Sequence, residues 1–127
     1  MTTIATALTE LGVTEWVLRG EPTTEAEFNE MFRKVTGADA NGSAIESSNP
    51  DDWGTTWAAV SEKKAELIAA EPMRLLREER DLRLAQTDWW AVADRTMTAE
   101  QTAYRQALRD VPANYTSLDD VVWPTKP

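Results

Sequence analysis

A chain of 127 residues with 22 acidic and 13 basic side chains has a formal charge of −9, and it contains neither histidine nor cysteine. That composition excludes a histidine base titrating near neutral pH, a thiolate nucleophile, His/Cys zinc sites and a disulfide framework, while the length predicts one small domain or two pieces sharing a modest core. Residues 1–71 hold 13 acidic and 5 basic groups and residues 72–127 hold 9 and 8, which predicts no nucleic-acid partner, because affinity for phosphate backbones comes from clustered Lys and Arg.

Ile4, Leu8 and Leu11 have helical spacing and Gly12 follows as a stop, so a short helix opens the chain. No basic residue precedes these apolar ones, and no apolar run reaches the roughly eighteen residues of a bilayer span. A soluble protein with no signal peptide and no membrane partner is expected. Val13–Leu18 is β-rich and ends at Gly20, predicting a single strand or extended arm that needs a partner from this chain or another.

Thr24 and Glu27 have capping-box spacing, and Phe28, Met31, Phe32 and Val35 share one face of a helix that Gly37 ends. Residues 38–54 are rich in Asp, Asn, Ser, Gly and Pro and predict a surface loop or mobile linker. This divides the chain into residues 1–54, a helix–strand–helix piece with its polar loop, and residues 55–127. Within the loop, Asp39, Asn41, Gly42 and Glu46 share residue types with a calcium-binding loop, but Glu46 follows the glycine by four residues where an EF-hand requires six. A polar turn is the simpler reading.

From Thr55 to Gln86 helix formers dominate and glycine is absent. Trp57, Val60, Leu67, Ile68, Leu75 and Leu82 fall within an arc of about 100°, with Lys64, Glu71 and Glu78 intruding. Such an interrupted seam suits a partly exposed helix pair or a homo-oligomer. Pro72 predicts a kink or a restart at Glu71-Pro72. Arg74, Arg77, Arg80 and Arg83 recur every three residues with Glu78, Glu79 and Asp81 interleaved, the pattern of a solvated helix with internal ion pairs.

Residues 87–97 form a connector carrying Trp89 and Trp90. Thr98 and Gln101 then mark a helix whose buried face is Tyr104, Ala107, Leu108 and Val111 and which Pro112 stops, and Asn114–Pro127 reads as extended. The fold class predicted is mostly α with a minor β element: an N-terminal helix–strand–helix piece, a long kinked helix and a small Trp-containing helical C-terminal module.

Chemistry has little to work with. Asp51-Asp52 and Asp119-Asp120 are adjacent carboxylates without converging ligands, Ser47-Ser48 has no base, and there is no glycine-rich phosphate loop. No catalytic residue, cofactor or metal site is expected. The six tryptophans are the unusual resource, since each indole joins a large apolar surface to one N–H donor, the mix enriched at protein interfaces. In an extended stretch adjacent rings point to opposite sides, so of Trp89 and Trp90 one can anchor the domain while the other meets a partner; packing of both into a small core is the alternative.

The helix running from Glu78-Glu79-Arg80-Asp81 to Leu84-Ala85-Gln86-Thr87-Asp88-Trp89, the next helix with Tyr104-Arg105-Gln106-Ala107-Leu108-Arg109-Asp110, and the closing Val122-Trp123-Pro124 follow one another in a recognisable order. Over about residues 71–127 the chain resembles the tail assembly chaperone-like family of tailed bacteriophages. The resemblance implies a non-enzymatic protein acting by protein–protein contact in tail or tail-fibre assembly, with phage tail, fibre or other virion proteins as partners, in the host cytoplasm during assembly. A permanent virion component, such as a tail adaptor, a fibre-associated or a decorating subunit, is the alternative. Trp89, Trp90, Tyr104, Arg105, Arg109 and Trp123 are the candidate residues for the module's fold or its partner contacts. Where many relatives carry a Gly-Phe-Pro-like segment, this chain has Ala113-Asn114-Tyr115-Thr116-Ser117-Leu118, and residues 1–54 lie outside the resemblance.

Overall fold

The computed structural model describes residues 1–127 and is mostly helical, with one three-stranded antiparallel sheet. Two units, Met1–Ala69 and Ala70–Pro127, are each internally packed. No helix is long and apolar enough to cross a membrane.

The first unit opens with α1 (Ile4–Glu10), started by a reciprocal cap in which the Thr6 amide donates to Thr3 Oγ1 at 3.2 Å and the Thr3 amide to Thr6 Oγ1 at 3.3 Å. Gly12, at φ +77°, turns the chain out of the helix at little steric cost. β1 (Trp16–Leu18) follows, shorter than the Val13–Leu18 expected, and its partner comes from this chain: it pairs antiparallel with β2 (Phe32–Ala38), Leu18 opposite Phe32. β2 in turn pairs with β3 (Ala44–Ser47), with an irregularity between Val35 and Gly37.

The helix expected to run past Val35 instead stops early. α2 spans Glu25–Met31, and Phe32 already has extended geometry. Two local features make the exit cheap. The Arg33 guanidinium donates to the Asn29 carbonyl at 2.8 Å, satisfying a helix-end acceptor, and the β-branched Val35 and Thr36 favour a pleated strand. The larger reason is tertiary, because Phe32 as a strand residue reaches the core, its ring 4.9 Å from both Phe28 and Trp53. Thr24 caps α2 as expected through the Glu27 amide, but Glu27 reaches back to the Thr23 hydroxyl at 2.5 Å, which holds its carboxyl below the usual range.

Residues 38–54 are likewise not the loop or linker that their composition suggests. Asp39 Oδ1 accepts from the amides of Asn41 (2.8 Å) and Ser43 (3.0 Å), so this carboxylate closes the β2–β3 hairpin turn. Beyond β3 and a 3₁₀ turn at Pro50–Asp52, Trp53 enters the core and donates its indole N–H to the Ser47 carbonyl at 3.0 Å. Ile4, Ala7, Leu8, Phe28, Phe32, Trp53 and Val60 form that core, with Trp16 and Trp57 packed on it.

α3 (Trp57–Ala85) begins at Thr56, whose hydroxyl accepts from the Ala59 amide, and is unbroken through Pro72, so there is no restart. The proline removes one hydrogen bond, and Arg74 ties Glu71 on its N-terminal side to Glu78 on the other. That pairing holds the Glu71 carboxyl below its usual range and raises Arg74. Arg80–Asp81 and Arg83–Glu79 complete the solvated, ion-paired surface read from the arginine spacing.

The apolar stripe expected along α3 is buried only in part. Val60 is buried, whereas Ile68, Leu75 and Leu82 are exposed, and Leu76, off that stripe, is fully buried in the second unit, as is Leu108. α4 (Ala99–Asn114) has the complete Thr98/Gln101 capping box and continues through Pro112 to a cap at Tyr115. The expected stop fails: beyond Pro112 the Tyr115 amide still donates to the Val111 carbonyl at 3.0 Å and Asn114 Nδ2 to the Asp110 carbonyl at 3.2 Å, so the last turn keeps acceptors paired although the proline removes one bond.

Candidate functional site

The six candidate residues all lie in the second unit, four of them around the turn between α3 and α4. α3 ends at Ala85, and a 3₁₀ turn, Asp88–Ala91, reverses the chain. Thr87 precedes that turn with no side-chain cap of its own; instead its fully buried hydroxyl donates back to the Leu84 carbonyl at 3.2 Å.

Arg105, one turn and a half into α4, closes on this turn. Its Nη1 donates to the Leu84 carbonyl (3.0 Å) and to Thr87 Oγ1 (2.8 Å), and Nη2 donates to Asp88 Oδ1 (2.8 Å). The guanidinium is 8% exposed while its partner Asp88 is 65% exposed. One planar fork therefore reaches a helix-end carbonyl, a buried hydroxyl and a solvated carboxylate at once, a spread of acceptors that the compact ammonium of lysine does not match in geometry. Its Nε is the one buried side-chain polar atom without a partner.

The aromatic candidates sort by depth. Trp90 is buried, with the Tyr104 ring edge-on at 6.0 Å, and Tyr104 is buried on the α4 side. Trp89, its neighbour in sequence, is 56% exposed, 6.1 Å from Trp90 and edge-on to it. Trp123 is half-buried under the Arg83 guanidinium, which lies 4.2 Å from its ring centre. Together with Tyr115 and Pro124, Trp123 faces Ala107 and Val111 of α4 across an open cleft of about 380 Å³. Arg109 is exposed and belongs to none of the ion pairs of this unit.

The structure thus brings Trp89, Trp90, Tyr104 and Arg105 together at the turn and leaves Arg109 apart on the surface. Thr87, Asp88, Arg83 and Arg95 are partners that sequence reasoning did not select. Thr87-Asp88 stood within the motif, but nothing local in the sequence signals that a guanidinium 18 residues later would bind the threonine. Arg95 stacks on Trp89 at 4.6 Å and Lys126 lies 5.8 Å from the Trp90 ring centre. No three His, Cys, Asp or Glu side chains converge as a metal site would require. Chemically this is a pinned turn that presents one exposed indole with a guanidinium over its ring, an arrangement suited to contact.

No curated protein and no solved structure matches the chain. Residues 73–127 match the family model of phage tail assembly chaperone protein, so this segment, somewhat less than half of the chain, is similar to that family, and the match supports a role in phage tail assembly.

Proposed function

We propose that the protein is non-enzymatic and works by protein–protein contact during assembly of a phage tail or tail fibre, in the host cell, without a cofactor. The observation that carries this reading is the coincidence of the family-like segment with a surface rich in unpartnered apolar side chains: Leu75, Leu82, Trp89, Val92, Leu118 and Val122 are all exposed and all lie within residues 73–127. Exposed tryptophan beside arginine is the composition of interface hot spots. Burial supports a division of labour among the six candidates. Trp90, Tyr104, Arg105 and the half-buried Trp123 hold the module, and the exposed Trp89 and Arg109 meet partners.

The second reading, a permanent virion subunit acting as an adaptor, fibre-associated or decorating protein, draws on the same exposed surface, since a lasting seat needs apolar area to bury. Quantitative mass spectrometry of purified mature particles separates the two. Absence from particles despite abundance in infected cells is the result expected of an assembly factor, and a fixed copy number per particle is that expected of a virion component. Failure to co-purify with any tail or fibre protein at any stage of infection would overturn both.

A further inference from the structure

The second unit carries two exposed patches that mirror each other in charge. In the first, Trp89 and Val92 are 56% and 47% exposed, and the Arg95 guanidinium lies over the Trp89 ring at 4.6 Å. Arg95 has no carboxylate partner: Asp94, adjacent in sequence, does not pair with it, and Asp88 is taken by Arg105. A guanidinium held over an indole face spends none of its N–H donors on that contact and keeps them for a carboxylate. Lys126, over the neighbouring Trp90 ring, adds a second cation free of ion pairs.

The second patch is the 3₁₀ turn Leu118–Asp120 with the residues after it. Ser117 caps this turn through the Asp119 amide at 3.3 Å, which sets Asp119 and Asp120 side by side at the surface. Both carboxylates are exposed and neither forms an ion pair, and they are bracketed by Leu118 and Val122, 37% and 75% exposed. One patch therefore presents an indole and a valine with unsatisfied cations, and the other a leucine and a valine with unsatisfied anions.

We propose that these patches meet between copies of this chain: Leu118 and Val122 of one copy seat against Trp89 and Val92 of the next, and Asp119 and Asp120 engage Arg95. The proposal rests on reading Trp89 as a contact residue and names what meets it. A second copy is favoured because the complement to the Trp89 patch, apolar flanks around a paired carboxylate, is present on the same molecule in exposed form. Charge also selects this register, because copies with a formal charge of −9 repel one another and close only where a local cation faces an anion. Used one at a time, the two unlike patches make a head-to-tail contact; a bound pair still offers one free patch of each kind, and association propagates into a ring or a filament, whereas reciprocal use of both patches closes a two-fold dimer. Four apolar side chains are few for a standard interface, so the contact is weak as a single event and strengthens only when a ring closes or a scaffold aligns the copies.

Sedimentation analysis of the full chain tests this. The expected result is a weight-average mass that rises between about 10 and about 500 µM and falls back toward the monomer as salt is raised from about 50 to about 500 mM. Arg95→Glu alone and the double variant Asp119→Lys/Asp120→Lys alone each stay monomeric. Their equimolar mixture associates, because the intact Asp pair of one meets the intact Arg95 of the other, and each reversed patch meets its reversed counterpart. Trp89→Ala, with an unchanged circular dichroism spectrum, weakens association about tenfold or more. A wild-type monomer at every concentration, association indifferent to Arg95→Glu, or a mixture that stays monomeric would each overturn the proposal. Binding of a tail or fibre protein, measured with the same variants, is a separate readout. If the wild type binds such a protein as a monomer and Trp89→Ala abolishes that binding, the contact role of Trp89 stands and the copy-to-copy contact falls.

Discussion

The Arg105 guanidinium donates to the main-chain carbonyl of Leu84, 3.0 Å away and 21 residues earlier in the chain. A side chain of α4 thereby adds a charged donor at the end of α3, to a carbonyl that also accepts from the Thr87 amide at 3.0 Å and the Thr87 hydroxyl at 3.2 Å. Replacing Arg105 by Met leaves that carbonyl without its charged donor and Asp88 without a partner, at an expected cost of about 2–4 kcal/mol. Most of the loss comes from the carbonyl and hydroxyl contacts, because the Asp88 end is already solvated. Arg105→Lys is expected to recover little of it. Urea unfolding followed by tryptophan fluorescence checks both, and a rescue by lysine would show that charge alone is needed.

Adjacent tryptophans give the second expectation. Trp90→Ala removes a side chain that is 3% exposed and packed edge-on against Tyr104, and is expected to cost about 3–5 kcal/mol. Trp89→Ala removes a ring that is 56% exposed and is expected to cost less than about 1 kcal/mol. Parallel thermal melts of the two variants measure the difference.

Pro72 lies within α3, is exposed, and interrupts a run of strong helix formers. Pro72→Ala restores an amide donor to the helix and is expected to stabilise the protein by about 1–3 kcal/mol, read as a higher melting temperature. An unchanged melting temperature would mean that the helix is already relieved at that point by local bending.

In the first unit Arg19 and Glu46 form a two-pronged ion pair, at 2.7 and 3.0 Å, that joins the end of β1 to β3. The pair holds the Glu46 carboxyl below its usual range. A depressed carboxylate contributes stability that is fully present above its unfolded value, about 4.3, and is lost as pH falls through the folded value. The first unit is therefore expected to weaken below about pH 4 in steps that Glu46→Gln removes in part. Because both side chains are substantially solvated, the contribution is small and shrinks with added salt. Melts from about pH 3 to 7 at two ionic strengths test the sign.

The parts of this fold legible in the sequence are those fixed by neighbours along the chain. The Thr98/Gln101 cap, the Gly12 stop and the ion-paired arginines of α3 depend on spacings of a few residues, and they are found as read. Phe28, Met31, Phe32 and Val35 show where local reasoning fails. Their spacing fits a helix, yet Phe32 belongs to a strand because strand propensity, its register against Leu18 and its contact with Trp53 together outweigh that spacing. At the site, four of the residues singled out in the sequence, Trp89, Trp90, Tyr104 and Arg105, come together at the turn, and their separate roles could not be read from spacing. Which of Trp89 and Trp90 is buried depends on the 3₁₀ geometry of the turn, and the work of Arg105 depends on an antiparallel return that only the tertiary structure supplies.

The same guanidinium bears on how the module breathes. The Trp90 amide donates to the Thr87 carbonyl at 3.0 Å inside a short surface turn, where exchange with solvent would ordinarily be fast. Here the turn cannot open without stripping the buried Arg105 of three acceptors and drawing on α4 itself. Turn and helix are then expected to open as one cooperative unit, with deuterium exchange at the Trp90 amide as slow as that of α4.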